Sequence, residues 1–250
     1  MRSYLLGAVV FALSLANVES IIGGTNTKIS NFPFYASIRM YPNKYSCGAS
    51  IIGKQWVITA AQCVYGLDRR SLFVAVGTDS LNRIGASYAV DRIDIHPYFN
   101  RITKANDTAL VRLTRNIVFN QNVSSILLAS DIISTGKTLV LVGHGATSYP
   151  FKNPSSNLTM IVTRSIDIAQ CGTILRQKLT KSYLCTLAKS FRGACVGDVG
   201  SPLVSRGGSF GSRKLYGVLS LDQSCARGGQ PDVYSSITDA RPWILRNTGL

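Results

Sequence analysis

The sequence is short of histidine, of acidic residues and of long apolar segments. Its only histidines are His96 and His144, and its six cysteines include no CxxC pair, so neither a zinc site nor a cofactor is expected. Beyond residue 20 no apolar run is long enough to span a bilayer. Charged residues make up 16% of the chain and hydrophobic residues 46%, which excludes a disordered, collagen-like or coiled-coil protein. The 250 residues therefore predict one globular body.

The shortage of acid makes the chain strongly basic. It has 27 Lys and Arg against 12 Asp and Glu, a formal net charge of +15. Between Arg176 and Lys214 the only acidic residue is Asp198. Such a charge favours anionic partners such as glycosaminoglycans, lipid headgroups or acidic proteins. No nucleic-acid-binding motif accompanies the bases, and the alternative is that they are dispersed and solvated.

The first 20 residues are typical of a secretory signal peptide. Arg2 precedes an apolar run from Tyr4 to Ala16, and small and polar residues follow it. Cleavage after Ser20 would begin the mature chain at Ile21, whereas cleavage after Ala16 would leave a short leader, residues 17–20. We therefore predict an exported, extracellular protein with a domain over residues 21–250.

The six cysteines are expected to form three disulfides, because an even number in an exported chain is typical of a disulfide framework. Several pairings are open. Pairing of nearest neighbours closes loops of moderate length, each stabilising the fold by about 2–4 kcal/mol. It gives the bridges Cys47–Cys63, Cys171–Cys185 and Cys195–Cys225.

Short apolar or alternating runs, separated by Gly, Asn, Asp and Pro, predict an all-β protein. The predicted strands are Tyr35–Met40, Ala49–Ile52, Trp56–Thr59, Leu72–Val76, Ala109–Leu113, Thr138–Val142, Leu158–Ser165, Tyr183–Leu187, Pro202–Val204, Leu215–Leu221 and Asp232–Ser235. The only helices indicated are Ile168–Gln177 and Asp239–Arg246. Many strands and few helices favour a barrel or a sandwich.

Several motifs together indicate a family. They are IIGG at Ile21–Gly24, SCGASII at Ser46–Ile52, WVITAAQC at Trp56–Cys63, NDTALVRL at Asn106–Leu113, VGHGAT at Val142–Thr147, CVGDVGSPL at Cys195–Leu203, GVLS at Gly217–Ser220 and PDVYSSI at Pro231–Ile237. Through them residues 21–250 resemble the chymotrypsin-type (trypsin-like) serine proteases. The resemblance implies two packed antiparallel six-stranded β-barrels, a C-terminal helix, a cleft between the barrels and the same nearest-neighbour disulfides.

The resemblance fails at two of the three catalytic positions. Gln62 stands before Cys63, where the family has its histidine base, and a neutral amide does not take up the proton. Val199 stands after Asp198, where the family has its nucleophilic serine, and an isopropyl group cannot attack a carbonyl. Asp107, in DTAL, matches the third member of the triad. Loss of base or nucleophile alone lowers the rate by about 10⁶, so the sequence predicts a pseudoprotease with no functional triad.

No other residue is expected to replace the missing groups. Ser201 lies two residues beyond Val199 on a tight Gly-containing turn, so its hydroxyl should point elsewhere. His96 lies in a stretch that resembles a surface segment of the family, and His144 takes the place of a tryptophan.

The two acidic residues of the motifs have structural roles available. The amide of Gln62 can donate to Asp107 the hydrogen bond that an imidazole would supply. Asp198 matches the acid that, in the family, pairs with the new N-terminal amine, here that of Ile21. Breaking such a buried pair costs about 3–5 kcal/mol, so the pair would stabilise the mature fold.

The specificity pocket also departs from the family pattern. Gly193 replaces the floor acid of relatives that cleave after Arg and Lys, and Ser220, Leu221 and Asp222 replace Ser-Trp-Gly. Asp232 replaces a second glycine. Because both glycines leave room for substrate, we predict an occluded pocket. The alternative is that Asp232 forms a relocated site for a basic side chain.

Three asparagines lie in glycosylation sequons. Asn122 and Asn157 are the candidates for glycosylation, whereas Asn106 overlaps a buried motif and is expected to stay unmodified.

Gly197 keeps part of the oxyanion geometry, which a disulfide-linked turn also retains for folding reasons.

An exported protease fold without catalysis is expected to act by binding. The combined substitutions resemble the inactivated serine protease paralogues of the scabies mite, relatives of the group 3 mite allergens. That resemblance implies a secreted inhibitor or decoy in a host proteolytic cascade such as complement, and so a role in immune evasion. The alternative is a cationic protein that binds polyanions such as heparin, and a residual hydrolase is the third hypothesis.

Overall fold

The computed structural model describes residues 23–146, 153–189, 192–207, 212–221, 225 and 229–250. In the first half of the chain the strands are β1 Thr25–Asn26, β2 Tyr35–Met40, β3 Lys44–Ile51, β4 Trp56–Thr59, β5 Leu72–Val76, β6 Ala86–Ile95, β7 Ala109–Leu113 and β8 Leu127–Leu128. The second half forms β9 Thr138–Gly143, β10 Thr159–Ile166, β11 Tyr183–Leu187, β12 Pro202–Ser205, β13 Lys214–Leu221 and β14 Asp232–Ser236. The helices are α1 Ile168–Leu175 and α2 Ile237–Thr248, with short 3-10 turns at Ile29–Asn31, Ala61–Cys63 and Arg69–Ser71.

The strands close into two antiparallel barrels. The first runs β2-β3-β4-β7-β6-β5, and β5 pairs back with β2. The second runs β9-β10-β11-β14-β13-β12, and β12 pairs back with β9. Strand β1 adds to the edge of β10, and β8 pairs in parallel with β13. The prediction of an all-β protein with two six-stranded barrels and a C-terminal helix is confirmed.

Burial along the strands follows the barrel geometry. All residues of β4 and β5 are buried, as expected for strands whose sequences, WVIT and LFVAV, are apolar almost throughout. In β10 buried residues alternate with more exposed ones, because successive side chains of a strand point to opposite faces. The interiors of both barrels are therefore packed with side chains and leave the seam between them for a site.

Helix ends follow from their capping residues. The Asp167 carboxylate accepts hydrogen bonds from the backbone of Ala169 (2.8 Å) and Gln170 (3.3 Å) and so begins α1. Arg176 has a left-handed backbone (φ 54°), which ends α1 two residues before the predicted end. Helix α2 extends beyond the predicted Asp239–Arg246 at both ends, because Ser236 caps its first turn.

Three disulfides link the expected partners, so the predicted disulfides are confirmed. Their pairs are Cys47–Cys63, Cys171–Cys185 and Cys195–Cys225. The first ties β3 to the 3-10 turn Ala61–Cys63, and the second ties α1 to β11. Each of these two bridges thus anchors a helical segment to a barrel strand.

Hydrogen bonds join the two barrels across the seam. They run from Gly48 N to Val199 O (2.9 Å), from the Tyr45 hydroxyl to Gly197 O (2.7 Å) and between the hydroxyls of Thr108 and Ser235 (2.7 Å). Among the described residues no helix is long and apolar enough to cross a membrane. The predicted signal peptide and Ile21 lie outside the described residues.

Candidate functional site

Three elements bring Gln62, Asp107 and Ser220 together at the seam. Gln62 lies in the 3-10 turn after β4, between two buried neighbours, and the adjacent Cys63 is bonded to β3. Asp107 lies just before β7, and Ser220 lies in β13 of the second barrel. The site is therefore built from both barrels.

Asp107 is fully buried and accepts hydrogen bonds from three donors. Its Oδ1 accepts from Gln62 N (2.9 Å), and its Oδ2 accepts from Gln62 Nε2 (2.6 Å) and from the Ser220 hydroxyl (2.6 Å). Gln62 Nε2 also donates to Ser220 O (2.7 Å). Because both partners of this nitrogen are acceptors, only the NH₂ end of the amide suits the position. Gln62 thus links Asp107 to the second barrel.

Two opposing effects act on the pKa of Asp107: burial raises it, and these hydrogen-bond donors lower it. Loss of solvent raises its pKa above the ordinary 3.8, whereas the hydrogen bonds from Ser220 and Gln62 and the positive charge of Lys104 act in the opposite direction. A buried carboxylate needs such donors, and each one favours its charged form. The amide and the hydroxyl therefore stabilise a charge that is otherwise isolated in the seam.

Val199 places a hydrocarbon where the motif would place a hydroxyl. Its side chain is half-buried and packs against the hydrophobic cluster that the two barrels share, while its carbonyl accepts from Gly48 N (2.9 Å). Gly200, which follows, has φ +84°, and a Cβ there would collide with Gly48 O. The turn after Val199 therefore has a backbone conformation, and a close approach to Gly48, that only glycine at position 200 allows.

The other hydroxyl and imidazole groups lie elsewhere. Ser201 is fully buried beneath Gly48, where an added Cβ would collide with its hydroxyl. The ring of His96 packs against Trp243 (centroids 4.8 Å apart). His144 is buried beside Tyr35 (5.5 Å between centroids), and its Nδ1 faces Ser155 O at 3.1 Å. Within the described ranges neither imidazole is hydrogen-bonded to Asp107 or to a serine hydroxyl.

Both imidazoles favour the neutral form. Burial lowers the pKa of His144 to about 4, and the carbonyl of Ser155 only partly offsets this. Burial also lowers the pKa of His96, opposed by the charge of Asp239. At neutral pH both rings act as packing groups in the seam and beneath α2.

At the floor of the specificity pocket a carboxylate is supplied by Asp232 and not by residue 193. Gly193 is buried, and Asp232, at the start of β14, is also buried with its Oδ2 accepting from Ala194 N (3.1 Å). Burial and the charge of Asp232 raise the pKa of the neighbouring Tyr234. Leu221 is half-buried, and Asp222 lies outside the described residues. The carboxylate of Asp232 thus lies against the backbone of Ala194, the residue directly after the floor-acid position Gly193.

Known proteins resemble the chain over nearly its whole length. The model of the family described as Trypsin matches residues 21–244. Trypsin delta of Drosophila erecta is 32% identical over 230 residues, covering 91% of this chain and 88% of that protein. Chymotrypsin-2 of Vespa crabro is 32% identical over 228 residues, covering 91% of this chain and 99% of that protein. Trypsin alpha of Drosophila melanogaster is 30% identical over 252 residues, covering 96% and 95%.

The chain belongs to the trypsin family. Within that family fold, Asp198 is fully buried and accepts from Gly145 N (2.7 Å) and Cys195 N (3.0 Å). Its predicted partner, the amine of Ile21, lies outside the described residues. The Tyr45 hydroxyl holds the carbonyl of Gly197, whose φ is +98°.

The trypsin-family motifs located Gln62, Asp107 and Val199, but two contributions were missed. The Ser220 hydroxyl, which the sequence placed only in the pocket wall, is a donor to Asp107. Tyr45, directly before the SCGASII motif, bridges the barrels to Gly197. Neither role has a local sequence signal, because each partner is more than 100 residues away in the chain.

The sequons differ in their surroundings. Asn157 is exposed and Asn122 is half-buried, and both stay candidates for glycosylation. The Asn106 side chain donates to Tyr98 O (3.2 Å), which engages the nitrogen that a glycan would need.

Proposed function

We propose that this protein is a proteolytically inactive member of the trypsin family that acts by binding. The observation that carries the proposal is the pairing of Gln62 with Asp107 (Nε2 to Oδ2, 2.6 Å). The amide occupies the place of the base and uses both of its N–H groups on Asp107 and Ser220. The residue at the position of the proton-accepting base, Gln62, therefore acts as a hydrogen-bond donor.

The position of the nucleophile supports the same proposal. Triad chemistry needs an attacking oxygen hydrogen-bonded to its base. Residue 199 offers only methyl groups, and the hydroxyl two residues further on, that of Ser201, is buried beneath Gly48. Asp232 at the pocket base further disfavours a substrate side chain, which supports occlusion over a relocated basic-side-chain site.

For the biological role we propose a secreted inhibitor or decoy in a host proteolytic cascade, with complement as the cascade that the resemblance to the mite paralogues implies. The chain is 32% identical to a trypsin and to a chymotrypsin, and we propose that it meets the partners of such a protease through the fold that it shares with them. A member that does not turn substrate over can occupy those partners without consuming them. The three disulfides suit an extracellular setting.

The test uses the purified mature protein with a fluorophosphonate active-site probe and a fluorogenic peptide library. We expect neither labelling nor cleavage, while an active trypsin treated in parallel gives both. Labelling that disappears in Ser201→Ala would overturn the proposal, because it would identify a working hydroxyl. Labelling that persists in Ser201→Ala would overturn it as well, by locating a nucleophile elsewhere.

The net charge of +15 favours polyanion binding as a second candidate function. Binding to heparin would weaken steeply as salt rises, because counterions compete for each neutralised charge. Binding through a mainly apolar protein surface would persist at high salt. Affinity for immobilised heparin, measured across a range of NaCl concentrations, separates the two candidates.

A further inference from the structure

A patch of aromatic and basic side chains lies beside the site, on residues outside the Gln62 network. It consists of Tyr65, Phe99, Arg101, Ile102 and Lys104, and we call it the cationic–aromatic patch. Tyr65 follows the 3-10 turn that carries Gln62, and the other four lie in the loop of residues 98–106, just before Asp107. Tyr65 lies three residues after Gln62 and Lys104 lies three residues before Asp107, which places the patch at the edge of the site.

The loop of residues 98–106 is held in place by its own hydrogen bonds. The Asn100 side chain accepts from the backbone N–H groups of Ile102 (2.9 Å) and Thr103 (3.0 Å), and Asn100 O accepts from Lys104 N (2.8 Å). The Tyr183 hydroxyl donates to Thr103 O (2.8 Å), which ties the loop to the second barrel. Little conformational entropy is therefore lost when a partner binds there.

Stacking on rings positions the two cations of the patch. The rings of Tyr65 and Phe99 have centroids 5.9 Å apart. Arg101 Cζ lies 4.9 Å from the Tyr65 centroid, and Lys104 Nζ lies 5.9 Å from the Phe99 centroid. Both distances are within the range of cation–π attraction.

Among the described residues no salt bridge holds the cations of the patch, although the charge of Lys104 also acts on the buried Asp107. Neither Arg101 nor Lys104 has an ion pair with any residue in the described ranges, and residues 96–106 contain no acid. Seven other surface bases have carboxylate partners, namely Arg70, Arg83, Arg92, Arg112, Lys137, Lys181 and Lys214, whereas Lys178 and Arg206 have no ion pair in the described part of the chain, like the patch, but are not among the bases stacked on rings. The patch therefore offers two preorganised cations to an incoming anion.

The patch also exposes apolar surface. Ile102 is 92% exposed and Tyr65 is 47% exposed. Aromatic and arginine side chains are the types enriched at the centres of protein interfaces. An exposed isoleucine that lies between two ring-stacked cations in the sequence fits a partner that carries both acidic and apolar groups.

We propose that the cationic–aromatic patch binds an acidic segment of a partner protein, in which carboxylates flank an aliphatic or aromatic side chain. The inference rests on the proposed function, because it requires a protein that acts by binding. The carboxylates would pair with Arg101 and Lys104, and the apolar side chain would cover Ile102 and Tyr65. A sulfated glycan would use the charges but leave Ile102 in water, so an acidic protein segment fits the patch better.

The test uses fluorescence polarisation with a labelled peptide that contains Asp-Glu-Phe-Asp-Leu-Glu, and an amide twin that contains Asn-Gln-Phe-Asn-Leu-Gln. We expect the acidic peptide to bind and the amide twin to bind at least about tenfold more weakly, since charge pairs carry part of the affinity. The double variant Arg101→Gln with Lys104→Gln should weaken binding at least about fivefold. Ile102→Ser should weaken binding about threefold or more, since it removes apolar contact but no charge.

A charge-matched control is the double variant Lys178→Gln with Arg206→Gln, two exposed bases outside the patch. It should change the affinity less than about twofold, because scattered charges contribute little at physiological salt. Equal weakening in both double variants would overturn the inference, since attraction would then be diffuse. Binding of a heparin fragment but not of the acidic peptide would also overturn it. Labelling of the same wild-type sample by the fluorophosphonate would refute the proposed function, whereas an unlabelled sample that binds no acidic peptide would refute this inference alone.

Discussion

The hydrogen bonds of Gln62 make a stability prediction that can be worked out from the structure. Replacing Gln62 with Leu keeps the side-chain size but removes the bonds to Asp107 Oδ2 (2.6 Å) and Ser220 O (2.7 Å). A hydrogen bond to a charged group contributes about 1.5–3 kcal/mol, and one between neutral groups about 1 kcal/mol. We therefore expect Gln62→Leu to lower the free energy of unfolding by about 3 kcal/mol at pH 7. For a chain of this size that corresponds to a fall in Tm of about 6–12 °C.

The stability lost in Gln62→Leu should be smaller at acidic pH than at neutral pH. Because burial raises the folded pKa of Asp107 above the ordinary 3.8, its contribution to stability is greatest below that value and declines as the pH rises through the folded pKa. Removing the Gln62 amide raises the folded pKa of Asp107 further, so stability continues to fall up to a higher pH. The difference in Tm between wild type and Gln62→Leu should therefore be smaller at pH 4 than at pH 7.

Differential scanning calorimetry at both pH values measures these quantities. Gln121→Leu, which removes an exposed amide, is the matched control and should stay within about 0.5 kcal/mol of wild type. Gln62→His should keep most of the stability, because an imidazole N–H can replace one donor to Asp107. A Tm for Gln62→Leu within 1–2 °C of wild type at pH 7, a range of about 0.5 kcal/mol, would show that the network contributes nothing and refute the reasoning.

Three further predictions concern chemistry, charge and pH. Val199→Ser should remain inactive toward fluorogenic peptides because it lacks a base, and adding Gln62→His should restore at most slight cleavage; brisk turnover by this double variant would contradict the occluded pocket. Benzamidine at millimolar concentration should not raise the Tm of the wild type, because the Asp232 carboxylate is engaged by Ala194 N (3.1 Å); a rise that Asp232→Asn abolishes would support a relocated site for basic side chains instead. Burial lowers the folded pKa of His144 to about 4 from 6.5, so the unfolded chain takes up a proton first as the pH falls and stability is lost between these values. His144→Phe should therefore lose about 2 kcal/mol less than wild type between pH 7 and pH 4.5 in urea titrations, and equal losses would show that the ring titrates normally.

Strands with continuous apolar sequence could be predicted from the residues alone. Trp56–Thr59, Leu72–Val76, Ala109–Leu113 and Tyr183–Leu187 have the predicted bounds, because each is buried on both sides or nearly so. Strand β6, Ala86–Ile95, was missed. Its sequence ASYAVDRIDI contains three charged residues, of which Asp91 and Arg92 are exposed and Asp94 is half-buried, and it has no clean alternation. It forms because β5 and β7 supply partners on either side, and that information is not local.

In the candidate site, too, some contacts could be predicted from the sequence and others could not. The position of Gln62 beside Asp107 could be predicted because both lie in motifs whose spatial relation the family resemblance implies. The Ser220 hydroxyl reaches Asp107 across 113 residues of sequence. The stacking of Arg101 on Tyr65 depends on a loop whose shape its own hydrogen bonds set. Contacts of this kind depend on tertiary packing and leave no periodic signal in the sequence.

The side chain of Val199 also bears on how long the protein persists. Inhibitors that trap proteases covalently depend on an ester formed with the attacking oxygen of the enzyme. Residue 199 ends in methyl groups, so no such ester can form there and that route of clearance is closed at this position. Cleavage by another protease would then require the disulfide-linked barrels to open, so resistance to it depends on how rarely they do so.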